Sequence, residues 1–386
     1  MRPLRFLFLT MAVATACSDP VTSTSSAILT ESGVASATSA ADRDAPHYTP
    51  QLLPQLRGAR WSAAFAINAA GVAAGVSSIP VEVRFPGQGG AFACQVTVAT
   101  IFRAYDAQSL HTDLQQAMGV WSPCELSSIA MDINDRDEVV GVAWQPGVWG
   151  SDRGFLWKKA SGVKLHHAVG PTIISALNNG GVTVGYFDRD GSNVPDLTYW
   201  WPNGGGTPPT LPFRRVMWGW DINNDGVTSG CWNYFAFKLD LTGRFTTNEE
   251  HCTAARGLLT LYDGRVPKSG GINGAGVAVY TNATPAPVMW GAGTGKGVPV
   301  GWSPGAATGI SDRNRVVGWR IAQAAPLHLA MTRSAGGRIL TLPGIPATAS
   351  TEAYAVNRCG HVVGATFDDS NLAHAILWKQ SRCDVP

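Results

Sequence analysis

The sequence is short of charge. Asp, Glu, Lys and Arg make up 15% of the 386 residues, against about 25% in an average soluble protein. The 29 basic residues include Arg2 and Arg5, and without these two the remaining 27 equal the 27 acidic residues. A chain with no basic excess lacks the electrostatic attraction through which proteins generally bind nucleic acid. We therefore expect no nucleic-acid partner.

The start of the chain carries an apolar stretch that is too short to cross a membrane as a helix, which needs roughly 20 residues. This stretch, Phe6 to Val13, follows two arginines and precedes small residues, the layout of an export signal. Ala14-Thr15-Ala16 before Cys17 resembles a bacterial lipobox, although Ala14 stands where Leu is usual. We predict a signal peptide over residues 1–16 and a lipid on Cys17, with an ordinary signal peptide as the alternative.

The segment after Cys17 is rich in Ser, Thr and Ala and has almost no large apolar side chains up to residue 41. Such a segment buries too little surface to offset the entropy lost on ordering. We therefore predict that residues 17–46 are a flexible, lipid-anchored tether and that residues 47–386 fold. The lipobox resemblance implies a protein of the bacterial cell envelope, anchored in the outer membrane or extracellular, whose only membrane contact is the lipid.

The cysteines lack the close CxxC spacing that is typical of zinc knuckles. Six remain after Cys17, and an even number in an exported protein indicates disulfides. Because each repeat of a repeat protein contacts mainly its neighbours, we predict local pairs. The predicted disulfides are Cys94–Cys124, Cys231–Cys252 and Cys359–Cys383.

A turn motif, Asn-x-x-Gly-x-x-x-Gly, recurs along the chain. Complete copies begin at Asn68, Asn178, Asn223 and Asn357, and looser copies begin at Asn134, Asn273 and Ser311. Asn at the first position and Gly at the fourth favour a tight turn with positive φ at the Gly. A β-prone strand follows and reaches a glycine in six of the seven copies. Glycine inside a strand often means that another backbone comes close.

Each copy continues with an aromatic-rich strand and a last strand, so one repeat holds about four strands. The anchors are spaced 66, 44, 45, 50, 38 and 46 residues apart, which is the size of a propeller blade. The long first interval predicts an insertion over Ile79 to Gln95. We predict an all-β, seven-bladed β-propeller in which the N-terminal segment at Tyr48 closes the last blade; a solenoid is the alternative.

The last repeat shows the most specific family resemblance. Ala355-Val356-Asn357-x-x-Gly360-x-Val362-Val363-Gly364, followed by His374-Ala375-Ile376-Leu377-Trp378, resembles the HAF family of probable extracellular repeat proteins. That family is named for a His-Ala-Phe triplet ahead of Leu-Trp. Among the repeats only the last keeps the His, and Ile376 replaces the Phe. The resemblance implies an exported, propeller-like repeat protein, and it carries no established reaction or catalytic residue.

The fourteen tryptophans fall into two groups. Those at one recurrent place in the repeat, such as Trp157, Trp290 and Trp378, are predicted to pack between blades. The others are irregularly placed, and exposed Trp clusters stack on sugars or anchor partners. Our candidate binding residues are Trp144, Trp149, Trp218, Trp220, Trp232, Trp302 and Trp319.

Several polar motifs are weaker signals. Asp221 to Gly226 matches the first half of an EF-hand loop, but Trp232 stands where the loop needs its bidentate Glu, so we expect no metal. His166-His167 is expected at the surface, and His374 is expected to be a packed, hydrogen-bonded residue. No Gly-x-Ser-x-Gly motif occurs in a strand–turn–helix context. The sequence therefore indicates no catalytic residue and no cofactor.

Three functions remain open. We prefer a monomeric, surface-tethered binding module for an unknown protein or polysaccharide, and we expect no enzymatic activity. The first alternative is an exported glycan hydrolase or lyase with carboxylates or histidines converging at the propeller axis. The second is a purely structural envelope protein, which predicts a polar surface without a preferred patch.

Overall fold

The computed structural model describes most of the chain after residue 46. The described residues are 47–84, 91–148, 150–166, 171–187, 196–200, 206–207, 217–232, 235–239, 245–251, 270–282, 284–291, 297–322, 327–346, 349–381 and 383. They belong to one compact unit, Pro46–Pro386. The predicted signal peptide, Cys17 and the tether lie outside the described residues.

The compact unit is a seven-bladed β-propeller, as predicted: seven four-stranded antiparallel sheets form a ring. The first strand of each blade contacts the first strands of both neighbouring blades and therefore lies innermost. These inner strands are β2 (Trp61–Ile67), β6 (Ser127–Ile133), β10 (Thr172–Leu177), β14 (Met217–Ile222), β18 (Gly270–Ile272), β22 (Gly305–Ile310) and β26 (Thr351–Val356). The second strands are β3 (Ala73–Arg84), β7 (Val139–Trp144), β11 (Thr183–Phe187), β15 (Thr228–Trp232), β19 (Ala278–Thr281), β23 (Val316–Ile321) and β27 (Val362–Phe367).

The outer half of each blade completes the sheet. The third strands are β4 (Ala91–Phe102), β8 (Arg153–Lys158), β12 (Asp196–Trp200), β16 (Phe235–Leu239), β20 (Pro287–Trp290), β24 (His328–Arg333) and β28 (Ala373–Gln380). The outermost strands are β5 (Ala107–Ser109), β9 (Gly162–Leu165), β13 (Gly206–Thr207), β17 (Phe245–His251), β21 (Val298–Pro299), β25 (Ile339–Thr341) and, in the seventh blade, β1 (Tyr48–Leu52). The pairing of β1 with β28 confirms that the N-terminal strand closes the ring.

The side chain of the repeated asparagine makes two hydrogen bonds, and these explain why the residue recurs. Its side-chain Oδ1 accepts a hydrogen bond from the backbone N–H four residues on, at 2.8–3.1 Å, which closes its own turn. Its Nδ2 donates at 3.0–3.2 Å to the backbone carbonyl at the equivalent position of the next blade. We call this ring of bonds the Asn belt; its donors are Asn68, Asn134, Asn178, Asn223, Asn273 and Asn357.

The Asn belt defines the two ends of the ring. It gathers the seven turns between first and second strands at one end, which we call the turn end. Because the strands are antiparallel, the turns between third and fourth strands lie there too. The loops between second and third strands and the connections between blades lie at the opposite end, which we call the loop end.

In six blades the second strand has a glycine opposite a bulge in the inner strand. In the second blade the register shifts between Ala130 and Asp132, so Met131 is an extra residue. A Cβ on Gly141 would overlap the carbonyl oxygen of Ile129. Equivalent shifts occur in the other blades except the fifth. In the fifth blade Tyr280 replaces the glycine and pairs with Gly270 without a shift. The overlap at Gly141 confirms the predicted close approach of another backbone.

The first blade contains the predicted insertion, but only part of the extra length lies where we expected it. Strands β3 and β4 have twelve residues each and form a hairpin that extends beyond the other blades' hairpins. The rest lies between β5 and β6, where the chain forms helix α1 (His111–Met118), ended by Gly119 at φ 66°. The all-β prediction did not anticipate this helix. None of the helices among the described residues is long and apolar enough to cross a membrane.

Candidate functional site

Exposed aromatic side chains lie at the loop end. Trp121 follows α1 in the connection from the first to the second blade, and 96% of its surface is exposed. Phe92, near the start of β4 on the extended hairpin, is 59% exposed. Burying either ring against another molecule would be favourable, because it would remove apolar surface from water.

A disulfide links the two segments that carry these rings. Cys94 on β4 is bonded to Cys124, and their Cα atoms are 5.8 Å apart. Phe92 lies two residues before Cys94, on the same side of the strand. Trp121 lies three residues before Cys124. The predicted pair Cys94–Cys124 is therefore present, and it links the hairpin that carries Phe92 to the connection that carries Trp121. We call these two linked segments the aromatic platform.

The other predicted disulfides lie elsewhere. Cys359 is bonded to Cys383, as predicted, and joins the turn of the last blade to the end of the chain. Cys231 is disulfide-bonded, but its predicted partner Cys252 lies outside the described residues.

A cluster of polar side chains lies where the sixth blade meets the seventh. We call this place the 6–7 seam. Glu352, on inner strand β26, is only 4% exposed. Its Oε1 is hydrogen-bonded to Nδ1 of His328, the first residue of β24. Its Oε2 accepts a bond from the Tyr354 hydroxyl at 2.5 Å. Two partners therefore satisfy the buried carboxylate.

The imidazole of His328 is held by more than this carboxylate. The indole of Trp319 stacks on it, with ring centroids 4.3 Å apart and 8° between the planes. The backbone N–H of His328 donates to Ser350 Oγ at 2.9 Å. The side chain keeps 19% of its surface exposed, and none of the described residues bonds to its other nitrogen, Nε2. His328 is thus fixed in orientation and still reachable from solvent.

The equivalent position is apolar in the first three blades. The position of Glu352, five residues before the turn residue, is occupied by Ala63, Ile129 and Ile173 in the first three blades, and all three are buried. These side chains belong to one apolar cluster, together with Tyr354. A buried carboxylate in this position distinguishes the seventh blade from the first three.

The family-motif histidine forms a different pair. His374 Nε2 is 2.9 Å from Asp368 Oδ2, and its Nδ1 is 2.9 Å from Gln55 Nε2. Both ring nitrogens are thus engaged. The bond from His374 is the main reason why the pKa of Asp368 lies below its ordinary value. His374 is hydrogen-bonded, as expected, but about a quarter of its side chain is exposed, so it is not a core residue.

The candidate tryptophans have diverse surroundings. Trp220 and Trp302 are buried among apolar side chains, and the Trp302 indole N–H donates to the carbonyl of Ala306 at 3.3 Å. Trp144 is half-buried against an apolar cluster, and Trp319 is half-buried in the 6–7 seam. Trp149 lies outside the described residues. For Trp218 and Trp232 the structure describes only the backbone, in β14 and β15.

The EF-hand-like segment is part of the ring rather than a separate loop. Asp221 Oδ2 accepts a bond from the backbone N–H of Ile272 in the next blade at 3.0 Å. Asn223 belongs to the Asn belt. Within the described residues, no group of three or more His, Cys, Asp or Glu side chains could hold a metal ion.

The other weak motifs give no site. His166 is buried, and its ring centroid is 5.3 Å from that of Trp200, which corrects the expected surface position; His167 lies outside the described residues. Gly301 to Gly305 has the letters of a Gly-x-Ser-x-Gly motif but connects β21 to β22, two strands. It therefore lacks the strand–turn–helix context of a nucleophile elbow.

Sequence reasoning missed Trp121, Phe92, His328 and Glu352. The first two carry no repeat signal because they belong to the insertion and a connection. Glu352 is not singled out by aligning the seven repeats on their turn, because Lys268 stands five residues before Asn273 in the fifth blade. Nor is His328, because its contact with Glu352 joins two blades.

Comparisons with known proteins support the fold and identify no functional site. No family model and no curated protein matches the chain. Among solved structures, virginiamycin B lyase from Staphylococcus aureus has a TM-score of 0.51 at 8% identity, over 87% of this chain and 99% of that one. A catalytically inactive variant of the same lyase with quinupristin has a TM-score of 0.52 at 10% identity, over 86% and 100%. A streptogramin B lyase has a TM-score of 0.50 at 9% identity, over 86% and 98%. At such identities the likeness concerns the propeller fold alone.

Proposed function

We propose that this protein is an exported, surface-tethered propeller that binds a polysaccharide or protein ligand through its loop end. The observation that carries the proposal is the aromatic platform, on which Phe92 and Trp121 are exposed beside the Cys94–Cys124 disulfide. Rigid, exposed aromatic side chains bury a large area on binding and lose little conformational entropy. They are therefore the side chains expected at the centre of a binding surface.

The disulfide supports the proposal in a second way. An extended hairpin outside the ring has few packing partners to hold it. The bond to Cys124 ties the hairpin to the connection after α1 and so reduces the entropy that a ligand would otherwise have to remove. The ring is already closed by β1. The role that remains for this disulfide is to hold the hairpin and its exposed surface in place.

Binding is tested with the tether-free domain, residues 47–386, on a broad glycan array and by pull-down from envelope extracts. Trp121→Ala and Phe92→Ala should weaken the contact that is found, by roughly 1–4 kcal/mol for a central ring. Tyr105→Ala is the matched control, because Tyr105 is also almost fully exposed but lies in the turn between β4 and β5, at the turn end. Equal loss in all three variants would sink the proposal.

Surface attachment is a separate part of the proposal. The lipobox-like residues before Cys17 and the Ser/Thr/Ala-rich segment after it support a lipid anchor and a tether. Cys17→Ser should remove the lipid, release the protein from the membrane fraction and change its mass accordingly. Membrane partitioning and mass that match the wild type would refute the anchor. Membership of the HAF family is likewise part of the proposal, supported by the motif in the last repeat.

A catalytic role is the second candidate function. From the sequence we expected such a site at the propeller axis. The observation that favours a catalytic role is instead the hydrogen bond between His328 and Glu352 in the 6–7 seam, which lies between two blades.

A further inference from the structure

The extended hairpin of the first blade has two edges beyond the ring. Strand β4 pairs with β3 along its whole length, but β5 pairs only with Thr100 to Phe102. Over its first half, β4 is therefore the outermost strand of the first blade. The side chains of Ala93 and Gln95 in this half are exposed, so this edge lies at the protein surface.

The direction of the backbone groups along β4 follows from a bond farther along the strand. The carbonyl of Ala99 accepts from the Leu110 N–H at 2.9 Å and therefore points away from β3. In an antiparallel pair this direction alternates with every residue. Ala93, Gln95 and Thr97 thus also direct their N–H and C=O groups outward. Among the described residues, no group is hydrogen-bonded to these backbone atoms.

The opposite edge of the same hairpin, on β3, is protected. Pro80, opposite Gln95, is one of its outward positions and has no N–H to offer. A Cβ on Gly58 would lie 3.2 Å from Pro80 Cγ, so the segment before β2 packs against this edge. Glu82, opposite Ala93, adds an exposed charge. Proline, charge and a covering segment are means by which proteins prevent pairing with a further strand.

The outermost strands of the blades carry similar protection. In the described part of the chain, β5, β13, β21 and β25 have only two or three residues. Of the longer ones, β1 contains Pro50, β9 contains Lys164, and β17 contains Glu249 and Glu250. Residues 91–97 of β4 include no proline and no charged residue. Among the described outer edges, this is therefore the one that lacks such protection.

We propose that residues 91–97 of β4 are a docking site for an extended segment of a partner protein, which adds to the first blade as a further β-strand. The inference rests on the proposed function and narrows its ligand to a protein. Donors and acceptors that alternate along a strand edge are matched by the backbone of another extended peptide. The Cys94–Cys124 disulfide leaves the edge open, because the Cys94 side chain stands perpendicular to the sheet.

The side chains beside the edge define what the added strand should carry. Phe92 lies on one face of the hairpin and is 59% exposed, and Ala93 and Gln95 lie on the other face. An aromatic or β-branched residue of the partner beside Phe92 would bury that ring. The amide of Gln95 donates to Ser78 Oγ at 2.7 Å, so the other face is polar. We therefore expect apolar side chains on the Phe92 face of the partner segment and polar ones on the opposite face.

The probe is a synthetic library of eight-residue peptides, with Val, Tyr or Phe at every second position and Thr or Gln between them. Binding is measured by fluorescence anisotropy for the wild type, Ala93→Pro and Glu82→Pro. Ala93→Pro removes an outward donor but no bond to β3, so it should weaken binding about tenfold or more. Glu82→Pro is the matched control, because it makes the same change directly opposite, on the edge that Pro80 already blocks. It should bind like the wild type.

A second measurement uses the wild type alone and so holds even if Ala93→Pro fails to fold. The best peptide is made in two N-methylated versions, one methylated at the odd positions and one at the even positions. An extended peptide directs alternate N–H groups to opposite edges. One version should therefore lose binding, because its methyl groups replace the donors that face β4, and the other should keep it.

Three results would overturn the inference: no peptide bound by the wild type, equal loss in both proline variants, or equal binding of both methylated versions. A wild-type dimer in analytical ultracentrifugation that Ala93→Pro converts to a monomer would also overturn it, since a second copy would then occupy the edge. Binding to glycans or envelope proteins that depends on Trp121 is measured in parallel. If that binding persists while no peptide binds, the inference falls and the proposed function stands; loss of both removes both.

Discussion

At the turn end of the ring, the same asparagine side chain makes the same two bonds in six blades, whereas at the loop end neighbouring connections differ in length, composition and contacts. The turn end holds the Asn belt, with bonds of 3.0–3.2 Å from blade to blade. The loop end holds the aromatic platform and the mouth of the 6–7 seam. One end repeats and the other does not, although the same seven sheets supply both.

This difference separates two tasks. Residues that hold the ring together are under the same physical demand in every blade, so they recur with the repeat. Residues that contact a ligand act at one place, so they interrupt it. Loss of an Asn-belt side chain or of a bulge glycine should therefore lower stability, while substitutions on the aromatic platform should leave stability nearly unchanged and alter binding.

The largest loss of stability is expected from Gly141→Val. A Cβ at this position would overlap the Ile129 carbonyl oxygen, and a backbone atom in a paired strand cannot move aside cheaply. We expect a loss of about 3 kcal/mol or more in the free energy of unfolding. Gly336→Val is the control at the same end, because the nearest atom to its added Cβ is Ser334 Oγ at 3.9 Å. Urea denaturation that gives equal midpoints for both variants would contradict the role assigned to the bulge.

Asn178→Ala should have the next largest effect. The substitution removes the acceptor for the Val182 N–H and the donor to the Asn223 carbonyl, both in a buried setting. Leaving these two groups without partners should cost roughly 2–3 kcal/mol. Asn282→Ala provides the comparison, since Asn282 also closes a local turn, with bonds from Thr284 and Ala286, but at the loop end and outside the Asn belt. If both variants unfold at the same urea concentration, the hydrogen bond between blades contributes nothing to the free energy of unfolding.

The turn end was largely predictable from sequence for the same reason that it repeats. The turn, the glycine of the second strand and the closing strand at Tyr48 each follow from a local rule. Asp137 and Asn314 take the positive φ of the turn glycine, at 59° and 56°, as their side chains allow. The donor role of Asn178 toward the next blade was not predictable, because it joins residues 45 positions apart.

The candidate sites were not predictable, because they depend on what lies beside each residue in space. Irregular placement singled out Trp220 and Trp302, which are core residues, and it passed over Trp121. A pattern of letters does not tell whether an indole faces a neighbouring blade or solvent. Likewise, the pairing of His328 with Glu352 depends on how the sixth and seventh blades meet.

A gain in stability is expected where the Asn belt is interrupted. Ser311 closes its own turn through Oγ, which accepts from the Arg315 N–H at 3.3 Å, but it has no amide to reach the next blade. Ser311→Asn would supply a donor for the Asn357 carbonyl and complete the seventh step. The gain should be about 1 kcal/mol, the net value of one hydrogen bond. A melting temperature equal to or below that of the wild type would show that the sixth blade is too far from the seventh at this point.

The smallest expected effect concerns a charged contact that does not repeat. Lys238 on β16 reaches the fifth blade, where Nζ donates to the carbonyl of Trp290 at 2.9 Å and lies 4.2 Å from the centre of its ring. Burial lowers the pKa of Lys238 from 10.5 to about 8, while the carbonyl and the ring favour the charged form.

If burial dominates, the folded protein binds fewer protons than the unfolded chain between pH 8 and the ordinary pKa of 10.5, and stability rises with pH across that window. Lys238→Met removes the group, so the wild type should gain stability relative to this variant between neutral and alkaline pH, as measured by urea midpoints. A difference between the two proteins that stays constant or shrinks with pH would mean that Trp290 holds the ammonium charged. The turn end would then contain an interblade contact based on charge, in addition to the amide bonds that the repeat supplies.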